Sequence, residues 1–213
     1  EDMAELTNQW LRMPKVELHS HLDCTLRFEV VKQLAPETTE QVYWNSYVAP
    51  AECGSLTRYL AYTRNGMRLQ QSQRALRLVV RDLFKQLAGD NVIYTEIRFA
   101  PLLHTAGGLS AEIVVETVES ESDKSSTESG IEVGLILCTL RHYTQKQSML
   151  TAELVRAFAG TRVVGLDIAG DEAVYSLENH AAAFQFAVKH SIPITAHAGE
   201  SAGPESVWET LRT

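Results

Sequence analysis

The sequence predicts an α/β fold built on a parallel sheet, and three observations carry that prediction. Five apolar segments read as buried strands: residues 15–21, 92–100, 131–140, 163–168 and 192–197. Helical periods fall between them, and the last three strands begin about thirty residues apart, the size of a βαβ repeat. The residues best suited to chemistry gather at the C-terminal ends of these strands, where parallel α/β folds bind ligands.

Each element has its own local reason. The first strand runs through Val16 and Leu18 into His19-Ser20-His21. Residues 35–71 form a long excursion with Tyr43, Trp44, Tyr47, Leu56, Tyr59, Leu60 and Met67, which predicts extra helices lying over one end of the sheet. Between residues 73 and 87, Leu76, Val79, Val80, Leu83, Phe84 and Leu87 recur at three- and four-residue steps, a helical face. Ser110 can cap a helix over 111–118, and Thr151 another that runs to Phe158 and closes at Gly160. The Ser- and Glu-rich residues 119–130 read as a solvated helix end followed by a surface loop. Ser176 can cap a helix over 177–190, before Pro193 interrupts any continuation; residues 205–211 suggest one further helix.

Composition narrows the function classes. The chain has 213 residues, 45% of them apolar, enough for one sizeable core or part of a larger one. A net charge of −8 without basic clusters argues against nucleic acid or an anionic membrane as partner. No apolar run approaches the roughly 20 residues of a membrane span. The start, Glu1-Asp2-Met3-Ala4-Glu5, is acidic, the opposite of a signal peptide's basic n-region. Cys24, Cys53 and Cys138 are odd in number, widely spaced and without a C-x-x-C pair, which favours a reducing cytoplasm over a disulfide framework.

Side chains at i and i+2 share one face of a strand, so His19 and His21 form a ready pair of ligands for a divalent metal. Asp23 follows, and His197 ends the fifth strand at the same pole, with Glu200 three residues on as a candidate general acid or base. Asp171 and Glu172 suit the simpler role of carboxylates at a helix N-terminus. Glu96 and Arg98, on one face of the second strand, suit a buried ion-pair network. Arg141 and His142 serve equally as structural polar partners, and His104, His180 and His190 receive no function.

These segments carry a family resemblance. Met13-Pro14-Lys15-Val16-Glu17-Leu18-His19-Ser20-His21-Leu22-Asp23 resembles the opening motif of adenosine deaminases. Tyr94 to Pro101, Leu137 to His142, Gly165 to Glu172 and Thr195 to Glu200 are similar to that family's second to fifth strand motifs, in the same order. The ending Arg98-Phe99-Ala100-Pro101 matches adenosine deaminases rather than the FFDPQ form of the related adenine deaminases. The resemblance implies a (β/α)8 TIM-type barrel, of which strands 1–5 and their helices are present as one incomplete catalytic domain spanning 1–213. It also implies a zinc cofactor held by His19, His21, His197 and a later aspartate. Glu200 would protonate the purine ring at N1, Asp23 would bind a ribose hydroxyl, and the Gly170 N–H would donate to N3. The implied reaction converts adenosine, or 2′-deoxyadenosine, to inosine and ammonia. Leu56, Tyr59 and Leu60 would form an apolar lid over a purine nucleoside substrate.

Two departures shape the expectations. Cys24 stands where the family has glycine, and simple packing is its expected role. The family's later strands, with a histidine that activates water and a further metal-binding aspartate, do not occur in these residues. An open five-stranded piece exposes two edges, so a second polypeptide carrying the remaining strands is expected. The alternatives are a related metal-dependent deaminase acting on adenine or a modified nucleoside, and a non-catalytic remnant of the fold.

Overall fold

The computed structural model describes residues 9–213; the acidic start at residues 1–5 lies outside them. Four strands, β1 (Lys15–His21), β2 (Val92–Phe99), β3 (Glu132–Leu140) and β4 (Val163–Ala169), form one parallel sheet in the order β1-β2-β3-β4. Between β1 and β2 lie four helices: α1 (Phe28–Leu34), α2 (Glu40–Ser46), α3 (Leu56–Leu69) and α4 (Gln73–Gly89). After β2 come α5 (Ala111–Ser129), α6 (Gln145–Ala157), α7 (Ala181–Lys189) and α8 (Gly203–Arg212), with β3 and β4 interleaved. The long excursion is thus helical, as its aromatic content suggested.

The sheet is two-faced because its strands alternate. Ile97, Phe99, Leu135, Leu137, Leu166 and Ile168 point to one side and are buried with Val79, Val80, Leu83, Val114, Val115, Val118, Ala152 and Val155 from the helices. The other face carries Arg98, Cys138 and Asp167, and Asp167 bonds both of the others. Burying an apolar face under helices leaves the polar face free to build a site, and both periods come straight from strand geometry.

Caps set several helix boundaries. Ser55, Ser72 and Ser110 each accept a backbone N–H from three residues on. Thr144, rather than Thr151, starts α6, through a reciprocal capping box with Gln147. Thr151 lies inside that helix, its hydroxyl donating to Gln147 O. Ser176 caps nothing; a short 3-10 turn at Glu178–His180 leads into α7 instead.

Three expectations need correction. First, residues 119–129 continue α5, and only Gly130, in the left-handed region at φ 75°, ends it. Glu121, Ser122, Ser125 and Ser126 are buried, and Arg81 of α4 makes a bidentate ion pair with Glu121. Second, the fifth apolar segment is not a full strand. It lies parallel to β4 through bonds from Leu166 N to Pro193 O (2.9 Å), Thr195 N to Leu166 O (2.9 Å) and His197 N to Ile168 O (2.9 Å). Pro193 has no N–H to begin the ladder, and residues 193–196 are exposed. Third, β1 is not buried: Val16 is 57% and Leu18 52% exposed along an open sheet edge.

The two-faced sheet yields a comparison. Leu166→Ala, at 0% exposure, should lower unfolding stability in urea by about 2–5 kcal/mol. Val16→Ala, at 57% exposure, should cost less than about 1 kcal/mol.

Candidate active site

β1 delivers two imidazoles to one point. Its ladder with β2 pairs Glu17 with Thr95 and Ser20 with Ile97, so Leu18 and His19 together oppose Glu96 in a bulge. The His19 N–H freed by the bulge donates to Glu17 Oε1 at 2.8 Å. Bulges re-aim side chains at site rims, and here His19 Nε2 comes within 3.0 Å of His21 Nε2. His197, at the end of the fifth segment, brings its Nε2 to 2.7 Å from His19 Nε2 and 3.1 Å from His21 Nε2. Among the described residues these three histidines lie close enough together to hold a metal ion.

The protonation pattern favours a cation at that point. His197 Nδ1 faces two acceptors, Asp167 Oδ2 at 3.0 Å and Ile168 O at 3.1 Å, so it carries the proton. With that proton on Nδ1, a neutral ring would present a bare lone pair at Nε2. Burial, then His197, pushes His21 down to about 4, and burial, then Arg98, lowers His19. Both are therefore neutral at pH 7. Three imidazole nitrogens converging this closely are all satisfied at once by a single divalent ion. Nitrogens held roughly 2.0–2.1 Å from a tetrahedral zinc stand about 3.3–3.4 Å apart, somewhat wider than the 2.7–3.1 Å found. The donor set fits such an ion.

Asp167 is a functional residue that sequence reading missed. Its Oδ2 accepts from Arg98 at 3.2 Å and from the Cys138 thiol at 3.4 Å as well as orienting His197. Burial pushes its carboxyl up, but the His197 bond, then Arg98, outweighs burial and holds it below the ordinary range. Burial pushes His197 down, and the Asp167 bond raises it on balance. A carboxylate that accepts the ring N–H of a metal-binding histidine fixes its tautomer and ring direction. The signal was an ionisable residue inside the apolar run Val163–Ala169. Arg98 pairs with Asp167, not with Glu96, which instead accepts from Tyr94 Oη at 3.2 Å.

His19, His21, His197, Gly170 and Glu200 line one cavity of about 460 Å³, with Leu56, Tyr59 and Leu60 of α3 forming part of its wall. That volume suits a small organic ligand. Glu200 is exposed at the cavity rim. Asp23 lines an adjoining cavity of about 430 Å³ that shares His21, Cys24, Leu60 and Gly170. The Asp23 carboxylate already accepts from Ala100 N (3.2 Å) and bonds His104 Nε2 (2.6 Å), which gives His104 an anchoring role. His180 is likewise buried, between Ser148 Oγ and Arg141 O. Cys24 is an exposed cavity-wall residue rather than a packing one.

Asp171 and Glu172 part company. Asp171 accepts from the Thr57 hydroxyl, tying the loop after β4 to α3. Glu172 accepts from Gly199, Ser201 and Ala202 N–H and from Ser206 Oγ, at the start of α8 rather than of the helix after β4. Burial pushes the Glu172 carboxyl up, but the bonds from Ser201, Ser206, Ala202 and Gly199 outweigh it and hold the group at about 2. A folded-state value below the ordinary 4.5 means this stabilisation is complete above that pH and is lost as pH falls towards about 2. Glu172→Gln should therefore flatten the fall in stability between pH 4.5 and about 2, measured by urea unfolding across that window.

The family model described as "Adenosine deaminase" matches residues 14–213. "Adenosine deaminase 1" of Streptomyces coelicolor is 36% identical over 94% of this chain and 54% of its own length. Adenosine deaminase of Clostridium acetobutylicum is 33% identical over 97% of this chain and 64% of its own. The chain thus spans roughly half to two thirds of the curated relatives it matches. Among solved structures, Arabidopsis ADAL complexed with IMP superposes with a TM-score of 0.81 at 24% identity, covering 96% of this chain and 64% of that one. An amidohydrolase with bound Zn from Burkholderia ambifaria gives a TM-score of 0.84 at 21% identity, covering 94% and 56%. The parallel sheet and its helices are accordingly a section of the (β/α) barrel these folds share. By its sequence from residue 14 to 213, the chain belongs to the adenosine deaminase family.

Proposed function

We propose that this chain supplies the three-histidine metal site and the proton donor of a zinc-dependent deaminase that converts adenosine, and 2′-deoxyadenosine, to inosine and ammonia. The observation that carries this reading is the meeting of His19, His21 and His197 Nε2 atoms within 3.1 Å of one another, in a cavity that Glu200 also lines. When bound there, zinc supplies a water whose pKa falls towards neutrality. The bound Zn of the Burkholderia amidohydrolase supports that choice of metal.

The chain's own residues then divide the work. Asp167 holds the His197 ring in the tautomer that leaves Nε2 free. Glu200 delivers a proton to purine N1, relieving the electron build-up as the amino group is replaced. The Gly170 N–H donates to N3, and its φ of 104° places that backbone where glycine is favoured. Asp23, its carboxylate braced by His104 and Ala100, receives a ribose hydroxyl with its remaining lone pairs. Leu56, Tyr59 and Leu60 exclude water from one side of the ring.

A nucleoside is preferred over free adenine because Arg98-Phe99-Ala100-Pro101 follows the adenosine deaminase pattern. N6-methyl-AMP is the competing substrate, since Arabidopsis N6-mAMP deaminase shares the fold at a TM-score of 0.80. Three free thiols suit a reducing cytoplasm, and among the described residues no helix is long and apolar enough to cross a membrane. The exposed β1 edge calls for a covering strand. The expectation that a second polypeptide provides it has no support in the comparisons, where matching region and remainder belong to single chains.

Two measurements test the reading. Adenosine should lose its ultraviolet absorbance on incubation with the zinc-loaded protein, and a chelator should abolish the change. Turnover of N6-methyl-AMP or adenine but not adenosine would move the assignment to the related deaminases. Glu200→Gln should reduce turnover by at least about 100-fold with zinc content unchanged; full activity in that variant would remove Glu200 as the acid.

A further inference from the structure

Glu200 is exposed, and no burial among the described residues holds it in one direction. Its position depends on the turn that carries it. That turn is unusual in how much of it one side chain holds. Glu172, at the C-terminal end of β4, accepts from Gly199 N at 2.9 Å, from Ser201 N, from Ala202 N at 3.0 Å and from Ser206 Oγ at 2.7 Å. Glu200 sits between two of the amides so held. Arg141, at the end of β3, completes the arrangement: its guanidinium lies 3.8 Å from Glu172 Oε2 and donates to His197 O at 3.1 Å.

Both side chains are nearly inaccessible, Arg141 at 3% and Glu172 at 1% exposure. The turn has little room to move in the other direction either. Gly199 lies at φ 82°, and a Cβ built there would stand 2.7 Å from Val207 Cγ2 on α8. Two ends of neighbouring strands therefore grip the segment from His197 to Ala202.

We infer that Glu172 is a positioning residue: it fixes the Gly199–Ala202 turn and thereby sets where the Glu200 carboxyl stands relative to His197. This rests on the reading of Glu200 as the proton donor. A carboxylate is required because it is acceptor-only and offers two oxygens to four donors. Glutamine substitutes an NH₂ for one of them and aims donors at donors. A displacement of about 1 Å in a reacting group can cost on the order of 100-fold in rate.

The test compares Glu172→Gln, Ser206→Ala and Glu200→Gln with the parent in the whole zinc-loaded enzyme, following amide exchange and steady-state kinetics. Glu172→Gln should speed exchange in the 197–206 segment by on the order of 10-fold, with the Lys15–His21 strand unchanged. It should lower kcat per bound zinc by about 10- to 100-fold, shift the pH profile of kcat, and change KM far less. Ser206→Ala, which removes one of the four bonds and guards against misfolding of the first variant, should produce a smaller change in the same segment and the same direction in kcat. Unchanged exchange in both variants overturns the proposal. So does faster exchange with kcat per zinc and its pH profile unaltered, the signature of a purely structural role. Full turnover in Glu200→Gln, with the turn still protected, instead overturns the reading on which the proposal rests.

Discussion

The candidate site depends on bringing three imidazole nitrogens to one point. His19, His21 and His197 meet within 3.1 Å although they belong to segments nearly the whole chain apart. Lone pairs that close repel unless a positive charge lies among them, so the fold must hold the arrangement by means outside the cluster. It does so with backbone: His21 ends a strand paired to β2, His197 N donates to Ile168 O, and a bulge turns His19 inward. The Asp167 carboxylate then chooses the tautomer of His197. The three nitrogens are thus brought together by groups outside the cluster.

The same economy appears on the polar face of the sheet. Arg98 links β2 to Asp167 on β4 and reaches the Leu18 carbonyl of β1 at 2.8 Å. One buried cation therefore ties together the strands bearing His19, His21 and the orienter of His197. Removing such a charge leaves its carboxylate partner buried and unpaired. A hydrogen bond from His104 to Asp23 likewise joins separate elements beside the second cavity, and the Arg141–Glu172 pair does so at the fifth segment. Each pair joins the C-terminal ends of different elements, which is how a site made of scattered residues keeps its shape.

The sequence made some of this legible for physical reasons. H-x-H at the end of an apolar strand is readable because a period of two fixes direction, and the pole of the sheet is readable because parallel strands share one C-terminal end. The α4 helix was visible in its apolar spacing, and α3 only as part of a helical excursion. What escaped depended on tertiary context. Residues 119–129 look solvated by composition, yet Glu121 is buried because Arg81 lies across from it on a neighbouring helix. The fifth segment is apolar enough for a buried strand but has Pro193 as its second residue and lies at the sheet's exposed edge. Thr151 is a good cap residue in isolation, and Thr144 with Gln147 is a better cap in three dimensions. Partners such as Asp167 for His197 are thirty residues apart in the chain and adjacent only through sheet pairing.

X-ray absorption at the zinc edge tests the central claim most directly. The account predicts one zinc per chain with three imidazole nitrogens at roughly 2.0–2.1 Å and no sulfur neighbour, and loss of that signature in His197→Ala. A zinc ligated by sulfur at about 2.3 Å, which would bring Cys24 into the coordination sphere, or a protein that retains no zinc at all, would contradict it.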